Sequence, residues 1–508
     1  MTSAAPVDRI AVPGHSAPAT SIPYWAEGLT QLWLGDCRAV LAVLPAESVS
    51  VVITSPPYWG SVRDYHIEPV VWGGAAGHEH QWIDQGETIG RWGDGQVITE
   101  KQSSNQGTGG NRSWGDTCAC GAWLGCLGNE PEPEAYIRHL IEVFQGVRRV
   151  LRDDGTVFLN LGDVYYGGGR GGGGSEKQRS NSGSLDSGPL RPPGYKPLDL
   201  ANIPHRVAEA LRQNGWHWRS TVVWEKRSAR PESVQSWRWE FHRVKVKSLR
   251  TQNQAWAAAT GHRDLRVGEA TEWKLCPGCA TCAPHDGLVL RKGSWRPTSS
   301  HEVVFMLTKT GTYYGDGIAV QVPHEGMRAD LTESHERWPG SGHNLRDVWR
   351  LGPQPLSGVV VNGEELSRGR RRRRGLRHFA SFPEALVRPC ILASTSERGV
   401  CATCGAPWAR VTESTPMQIR RTDWGERAGN RTATSGIMVA PAEARTLGWK
   451  ATCQHAGEPV AATVLDPFVG SGTACLVAAK LGRASIGIDA SRPYLEMAKA
   501  RIGNRMAL

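Results

Sequence analysis

The sequence predicts an open α/β sheet, and two stretches in which an apolar strand runs into a polar cluster carry that expectation. The first is Val49-Ser50-Val51-Val52-Ile53-Thr54, which stops at Ser55-Pro56-Pro57-Tyr58. Proline supplies no N–H and cannot extend a ladder, so the strand ends there and presents the next side chains at its carboxyl end. The second is Thr463-Val464-Leu465-Asp466, followed by the turn Pro467-Phe468-Val469-Gly470-Ser471-Gly472-Thr473. A helix over Ala474–Leu481 and a strand over Ala484–Ile488 come next, and that strand ends on Asp489. Open α/β sheets bind ligands at the carboxyl ends of their strands, so both clusters are candidate sites.

At the first tip a short polar side chain, a rigid carbonyl and an aromatic face suit the capture of a flat base bearing an amino group. The same four residues would also serve as a proline turn capping a core strand. At the second tip the glycines let the backbone approach a nucleoside, and Asp489 can accept from ribose hydroxyls. A dinucleotide fingerprint would want a third glycine near Cys475, which is absent, so a phosphate-cradling site is the poorer reading.

Together these segments resemble the amino-group DNA methyltransferases, in which a Ser-Pro-Pro-Tyr tetrapeptide marks target-base catalysis and Phe-x-Gly-x-Gly marks the S-adenosylmethionine pocket. Further blocks agree in content and order. Leu34-Gly35-Asp36-Cys37 precedes the catalytic strand, and Arg148 to Asp163 reads as helix end, turn and strand. Lys196 to Lys226 resembles a helix-strand pair, and Ser299 to Phe305 and His378 to Pro383 complete the series. The resemblance covers roughly half the chain. With the catalytic half first and the cofactor half last, it implies a Rossmann-like S-adenosylmethionine-dependent methyltransferase sheet in the circularly permuted arrangement of the beta class, with small zinc-knuckle and recognition segments inserted.

The resemblance also assigns roles. Ser55, Pro56, Pro57 and Tyr58 are the catalytic set, and Asp36, Phe382, Asp466, Phe468, Gly470, Gly472, Thr473 and Asp489 would hold S-adenosylmethionine. The Ser55 hydroxyl and Pro56 carbonyl would accept the two amino hydrogens while Tyr58 stacks on a base flipped out of double-stranded DNA. Serine before the two prolines resembles the cytosine-N4 branch; an adenine-N6 enzyme on the same fold is the alternative. A reading from another class is an inactive zinc-containing DNA-binding protein, against which the intact Ser55, Tyr58, Gly470, Gly472 and Asp489 argue. An RNA or protein amino-group methyltransferase is a more distant alternative, and a cognate restriction nuclease is a possible partner. No signal for an oligomeric state is present. Pro389-Cys390 matches the carbon-five cytosine motif alone, inside an expected helix.

Among 508 residues, Lys and Arg number 59 against 49 Asp and Glu, a formal net charge of +10 that suits a polyanionic partner. No apolar run reaches the about twenty residues of a membrane span, and the stretch through Tyr24 is polar and rich in Pro, Ala and Ser. These features predict a cytoplasmic, DNA-associated protein with no membrane contact.

Twelve cysteines in such a chain point to metal ligands or free thiols rather than disulfides. Cys401-x-x-Cys404 with Cys453-x-His455 has the nitrogen and sulfur set of structural zinc. Cys276, Cys279 and Cys282 with His285 form a second candidate, and His78, His80, Cys118 and Cys120 a third. The remaining Cys37, Cys126, Cys390 and Cys475 read as buried thiols.

The expected organisation is a flexible segment over 1–24, core over 25–60, 132–227, 295–310, 378–400 and 461–508, and inserts over 61–131, 228–294, 311–377 and 401–460. A Gly-rich stretch over 165–189 predicts a mobile loop. Segments 228–294 and 311–377 are candidates for target recognition, and Arg370, Arg371, Arg372, Arg373 and Arg374 form the densest cationic block, suited to neutralising phosphates.

Overall fold

The computed structural model describes residues 22–60, 67–75, 77–84, 116–166, 194–196, 198–227, 236–249, 269–293, 295–322, 343–352, 354, 360–361, 364–365, 382–415, 418–421, 436–440 and 443–506. The Arg370 to Arg374 block, most of the Gly-rich stretch and nearly all of the first 24 residues lie outside the described residues.

Among the described residues nine strands form the main sheet: β1 (Trp25–Glu27), β2 (Thr30–Leu34), β3 (Val49–Thr54), β4 (Leu151–Leu161), β5 (His217–Lys226), β6 (His301–Thr308), β7 (Val348–Leu351), β8 (Thr463–Asp466) and β9 (Ala484–Asp489). Their order is β1-β2-β9-β8-β3-β4-β6-β5-β7. Strands β2, β9, β8, β3 and β4 run parallel, so their carboxyl ends share one edge. Strand β6 is antiparallel to both neighbours, which brings its first residues to that same edge.

All six residues of β3 are buried, as a strand covered on both faces requires. Val52 packs with helices α1 (Cys37–Val43), α2 (Pro133–Val150) and α3 (Ile203–Gln213). Val51 and Ile53 face the other way, toward α4 (Glu384–Ser394) and α5 (Thr473–Lys480). This alternation along one strand produces a three-layer α/β sandwich. Helix α2 starts on Pro133, where the missing N–H costs no helical bond, and buries Tyr136, Leu140, Val143, Phe144 and Val147 at helical spacing. The last helix, α6 (Arg492–Met506), packs Leu495, Ala498 and Ile502 against Leu32 and Leu476.

Among the described residues all four expected inserts carry small sheets, and the insert over 311–377, which pairs 360–361 with 364–365, also supplies β7 to the main sheet. Strands over 70–72, 123–125, 116–117 and 83–84 form a four-stranded sheet. A long hairpin pairs 408–415 with 443–451, and 400–401 pairs with 459–460 at its root. Residues 228–300 form a separate compact unit, in which 238–241 pairs with 288–291 and 243–249 with 269–275. Among the described residues no helix is long and apolar enough to cross a membrane.

Candidate active site

The carboxyl ends of β2, β3, β8 and β9 open onto one cleft, lined by Asp36, by Ser55 to Tyr58, by Asp466 to Ser471 and by Asp489. Val70, Trp72 and Leu127 add an apolar side, and Phe382 reaches it from just ahead of α4. The space within, open mouth included, is about 1140 Å³.

At the β3 tip, Thr54 Oγ1 donates to Asp466 Oδ1 at 2.7 Å and joins the ends of β3 and β8. Ser55 Oγ donates to the Tyr58 hydroxyl at 3.1 Å. That hydroxyl also lies 3.0 Å from Asn160 Oδ1 and 2.9 Å from Glu302 Oε2, between which its single proton can be shared. Lys226 pairs with Glu302, and Asn160 Nδ2 donates to the Val303 carbonyl at 3.1 Å. Burial, reinforced by the Glu302 charge, pushes the Tyr58 phenol well above its ordinary value and keeps it protonated. A Cβ on residue 162 would fall 2.7 Å from the Tyr58 ring, so Gly162 makes room for it.

At the other tip the backbone supplies the contacts. Asp489 accepts from Gly470 N at 2.9 Å and from Ser491 N at 2.7 Å. Gly470 stands at φ 49°, in the left-handed region. Burial raises the Asp489 carboxyl to about 6. Asp466 is 1% exposed and accepts from Phe468 N at 3.1 Å as well as from Thr54. Burial raises its carboxyl to about 7. Asp36 caps α1 and is gripped by the Arg38 guanidinium, 2.6 Å from Oδ2.

The structure therefore brings into one cleft the whole tetrapeptide together with Asp36, Phe382, Asp466, Phe468, Gly470, Thr473 and Asp489. Gly472 is not among the cleft-lining residues; it stands at φ 80°, where a Cβ would fall 2.7 Å from the Ala498 Cβ, so its smallness admits α6 against the turn. Sequence reasoning missed Asn160, Glu302 and Lys226 as site residues, because three separate strands bring them to Tyr58. The only signal was a carboxylate at the start of the strand now seen as antiparallel.

The profile of the N6/N4 DNA methylase family matches residues 49–402 and 456–500. The chain belongs to that family. It is thus a DNA methyltransferase, and its matched region starts on strand β3 and takes in the glycine turn. Among curated relatives, the type II methyltransferase M.Cfr9I of Citrobacter freundii is 28% identical over 375 residues, 74% of this chain and 75% of that one. M.SmaI of Serratia marcescens is 25% identical over 473 residues, 93% of this chain and 90% of that one. The solved PvuII DNA methyltransferase (cytosine-N4-specific) aligns over 95% of this chain and 89% of its own at 12% identity, with a TM-score of 0.41.

Outside its cleft this methylase gathers, among the described residues, cysteine and histidine side chains in three sets of four, each with all ligand atoms within 4.8 Å of one another. His78, His80, Cys118 and Cys120 form one, and Cys401, Cys404, Cys453 and His455 another, both as expected. The third joins His242, not His285, to Cys276, Cys279 and Cys282. Cys279 Sγ lies 3.3 Å from His242 Nδ1, and the His242 carbonyl accepts from Cys276 N at 2.8 Å. His285 belongs to a short 3-10 helix and turns its ring toward Trp239, 4.9 Å away. Of the other cysteines, Cys37, Cys390 and Cys475 are buried as expected, whereas Cys126 is half-buried. Pro389 and Cys390 both lie inside α4, away from the cleft lining.

Proposed function

We propose that the chain transfers a methyl group from S-adenosylmethionine to the exocyclic N4 amine of a cytosine flipped out of double-stranded DNA. The observation that carries this reading is the shared cleft, in which the catalytic tetrapeptide and the glycine turn stand on adjacent parallel strands tied by Thr54 and Asp466. The chain order, with β3 ahead of β8 and β9, supports the permuted arrangement of the beta class.

The cleft fits S-adenosylmethionine. Asp489 keeps lone pairs for ribose hydroxyls beside the amides it already accepts from, and Phe468 and Phe382 offer apolar surface for adenine. Asp36 and Asp466 present carboxylates to the same cleft. When bound, the cofactor supplies a methyl group on an electrophilic sulfonium.

A base amine is a weak nucleophile because its lone pair is delocalised into the ring. Ser55 Oγ and the Pro56 carbonyl, as acceptors for its two hydrogens, would turn that lone pair toward the methyl, an effect of orientation and electrostatics. The Tyr58 ring would stack on the base. Its hydroxyl bonds to Asn160 and Glu302 fix the ring in place before any base arrives. Extrusion of the base from the duplex is required because the amine lies inside the stack. Serine at position 55 is the residue that favours cytosine over adenine. In the unit over 228–300, Trp237, Trp239 and Phe241 are exposed at alternate positions, next to Arg238 and Arg243, which supports a role in target recognition. The likeness to type II methyltransferases supports a restriction nuclease as partner.

The test is transfer of labelled methyl to duplex DNA, followed by digestion and identification of the nucleoside. Label in N4-methyl-2′-deoxycytidine is expected. Label in N6-methyl-2′-deoxyadenosine moves the target to adenine, and label confined to RNA or protein rejects the reading.

A further inference from the structure

We propose that the chain binds three structural zinc ions, and that the one held by His78, His80, Cys118 and Cys120 braces the wall of the cofactor cleft. Tetrahedral zinc with arms of roughly 2.0–2.3 Å places its ligand atoms about 3.3–3.8 Å apart. The observed pairs match: His80 Nδ1 to Cys120 Sγ is 3.4 Å, Cys279 Sγ to Cys282 Sγ 3.7 Å and Cys279 Sγ to His242 Nδ1 3.3 Å. Each set supplies four protein ligands, leaving no open position for water, so the role is structural. Each also clips an insert whose closure is otherwise entropically unfavourable.

The first set differs in what it is attached to. Its two histidines follow the strand 70–72 and its two cysteines precede the strand 123–125, and these strands pair Val71 with Leu124 and Trp72 with Trp123. Gly74, at φ 87°, tucks its backbone against this knuckle: a Cβ there would meet the Ala122 Cβ at 2.6 Å and Cys120 Sγ at 3.2 Å. The clipped strand meets Arg38, whose guanidinium stacks 3.8 Å from the Trp72 ring centre and donates to the Val71 carbonyl at 2.8 Å. The same guanidinium holds Asp36, which lines the cleft beside Val70 and Trp72. Metal, strand, Arg38 and Asp36 thus form one connected support. Among the described contacts, the hairpin clipped by Cys401, Cys404, Cys453 and His455 reaches β4 through Arg152, which donates to the Cys404 carbonyl at 2.7 Å, and contributes nothing to the cleft lining.

The coupling rests on the cofactor reading above; the metal content does not. Elemental analysis of the full chain purified without chelator should give three zinc ions, and two in either Cys120→Ser or Cys404→Ser. Calorimetry with S-adenosylhomocysteine should show affinity about tenfold weaker for Cys120→Ser and within twofold of the parent for Cys404→Ser. His80→Cys, which keeps four ligands, should retain three zinc ions and parental affinity, which a merely disturbed fold would not. A parent without zinc overturns the proposal, and so does a Cys120→Ser variant that has two zinc ions and parental affinity, or a His80→Cys variant that loses either. If Cys120→Ser proves insoluble, the parent count and His80→Cys still decide. A parent that holds three zinc ions but does not bind S-adenosylhomocysteine refutes the cofactor reading and leaves the metal sites standing.

Discussion

The tip of β3 and the tips of β8 and β9 lie side by side in one cleft, yet they are built differently. At the β3 tip a phenol is held by side chains from distant strands: Asn160 on β4, and Glu302 on β6 with Lys226 of β5 behind it. At the other tips a carboxylate is held by backbone amides from within a few residues of the same turns, Gly470 and Ser491. The first arrangement fixes one rigid side chain and depends on the whole sheet. The second is local, and its weak points are backbone conformation and charge. Changes at the β3 tip should therefore act on turnover, and changes at β8 and β9 on cofactor affinity.

The sharpest way to break this contrast is at the β3 tip. Ser55→Ala and Tyr58→Ala should each lower methyl transfer on the order of a hundredfold while leaving calorimetric affinity for S-adenosylhomocysteine nearly unchanged. Parental turnover in either variant would remove the tetrapeptide from catalysis. Asp489→Ala should do the reverse, costing about 1.5–3 kcal/mol in cofactor affinity through the lost charged acceptor. Gly470→Val should also weaken cofactor binding, because a branched residue at φ 49° is strained and the position lines the cleft. If both bind the cofactor like the parent, the glycine turn is not the pocket.

The charge of the second tip gives a pH signature that the first lacks. With the Asp489 carboxyl at about 6, cofactor affinity should fall as the pH drops below that value, because protonation removes the charged acceptor. Stability carries the opposite sign. Asp466 is raised from its ordinary 3.8 to about 7, so between those values the folded chain holds a proton that the unfolded chain has released. That contribution is present at acid pH and lost as pH rises through about 7. The melting temperature of Asp466→Asn should accordingly gain on the parent from pH 5 to pH 8, and a constant difference would contradict the burial argument.

The smallest effect is expected away from the cleft. Serine in place of Arg370 to Arg374 should weaken binding to all DNA sequences alike and flatten its salt dependence while the recognised sequence stays the same. An unchanged salt slope would leave the block without a phosphate contact.

The two tips were also unequally legible in the sequence. Everything that makes the glycine turn lies within 463–491, so strand, glycines and Asp489 could be read in order. The packing of Gly472 against Ala498 could not be read there, because a glycine needed for close helix packing is written like one needed for a ligand. At the β3 tip the Pro-Pro pair announced the end of the strand, but Asn160 and Glu302 are ordinary polar residues until the antiparallel pairing of β6 with β4 and β5 sets them beside Tyr58. The same limit explains His242. Spacing pointed to His285, three residues from Cys282, whereas the pairing of 243–249 with 269–275, in which Arg243 faces Leu275, sets His242 beside Cys276.

The most direct test of the central claim is methylation-aware sequencing of DNA from a restriction-deficient host expressing either the parent chain or Ser55→Ala. The account predicts N4-methylcytosine at one fixed sequence context with the parent and its near-complete loss with the variant. Unmodified cytosine with the parent, or N4-methylcytosine undiminished with Ser55→Ala, would contradict it.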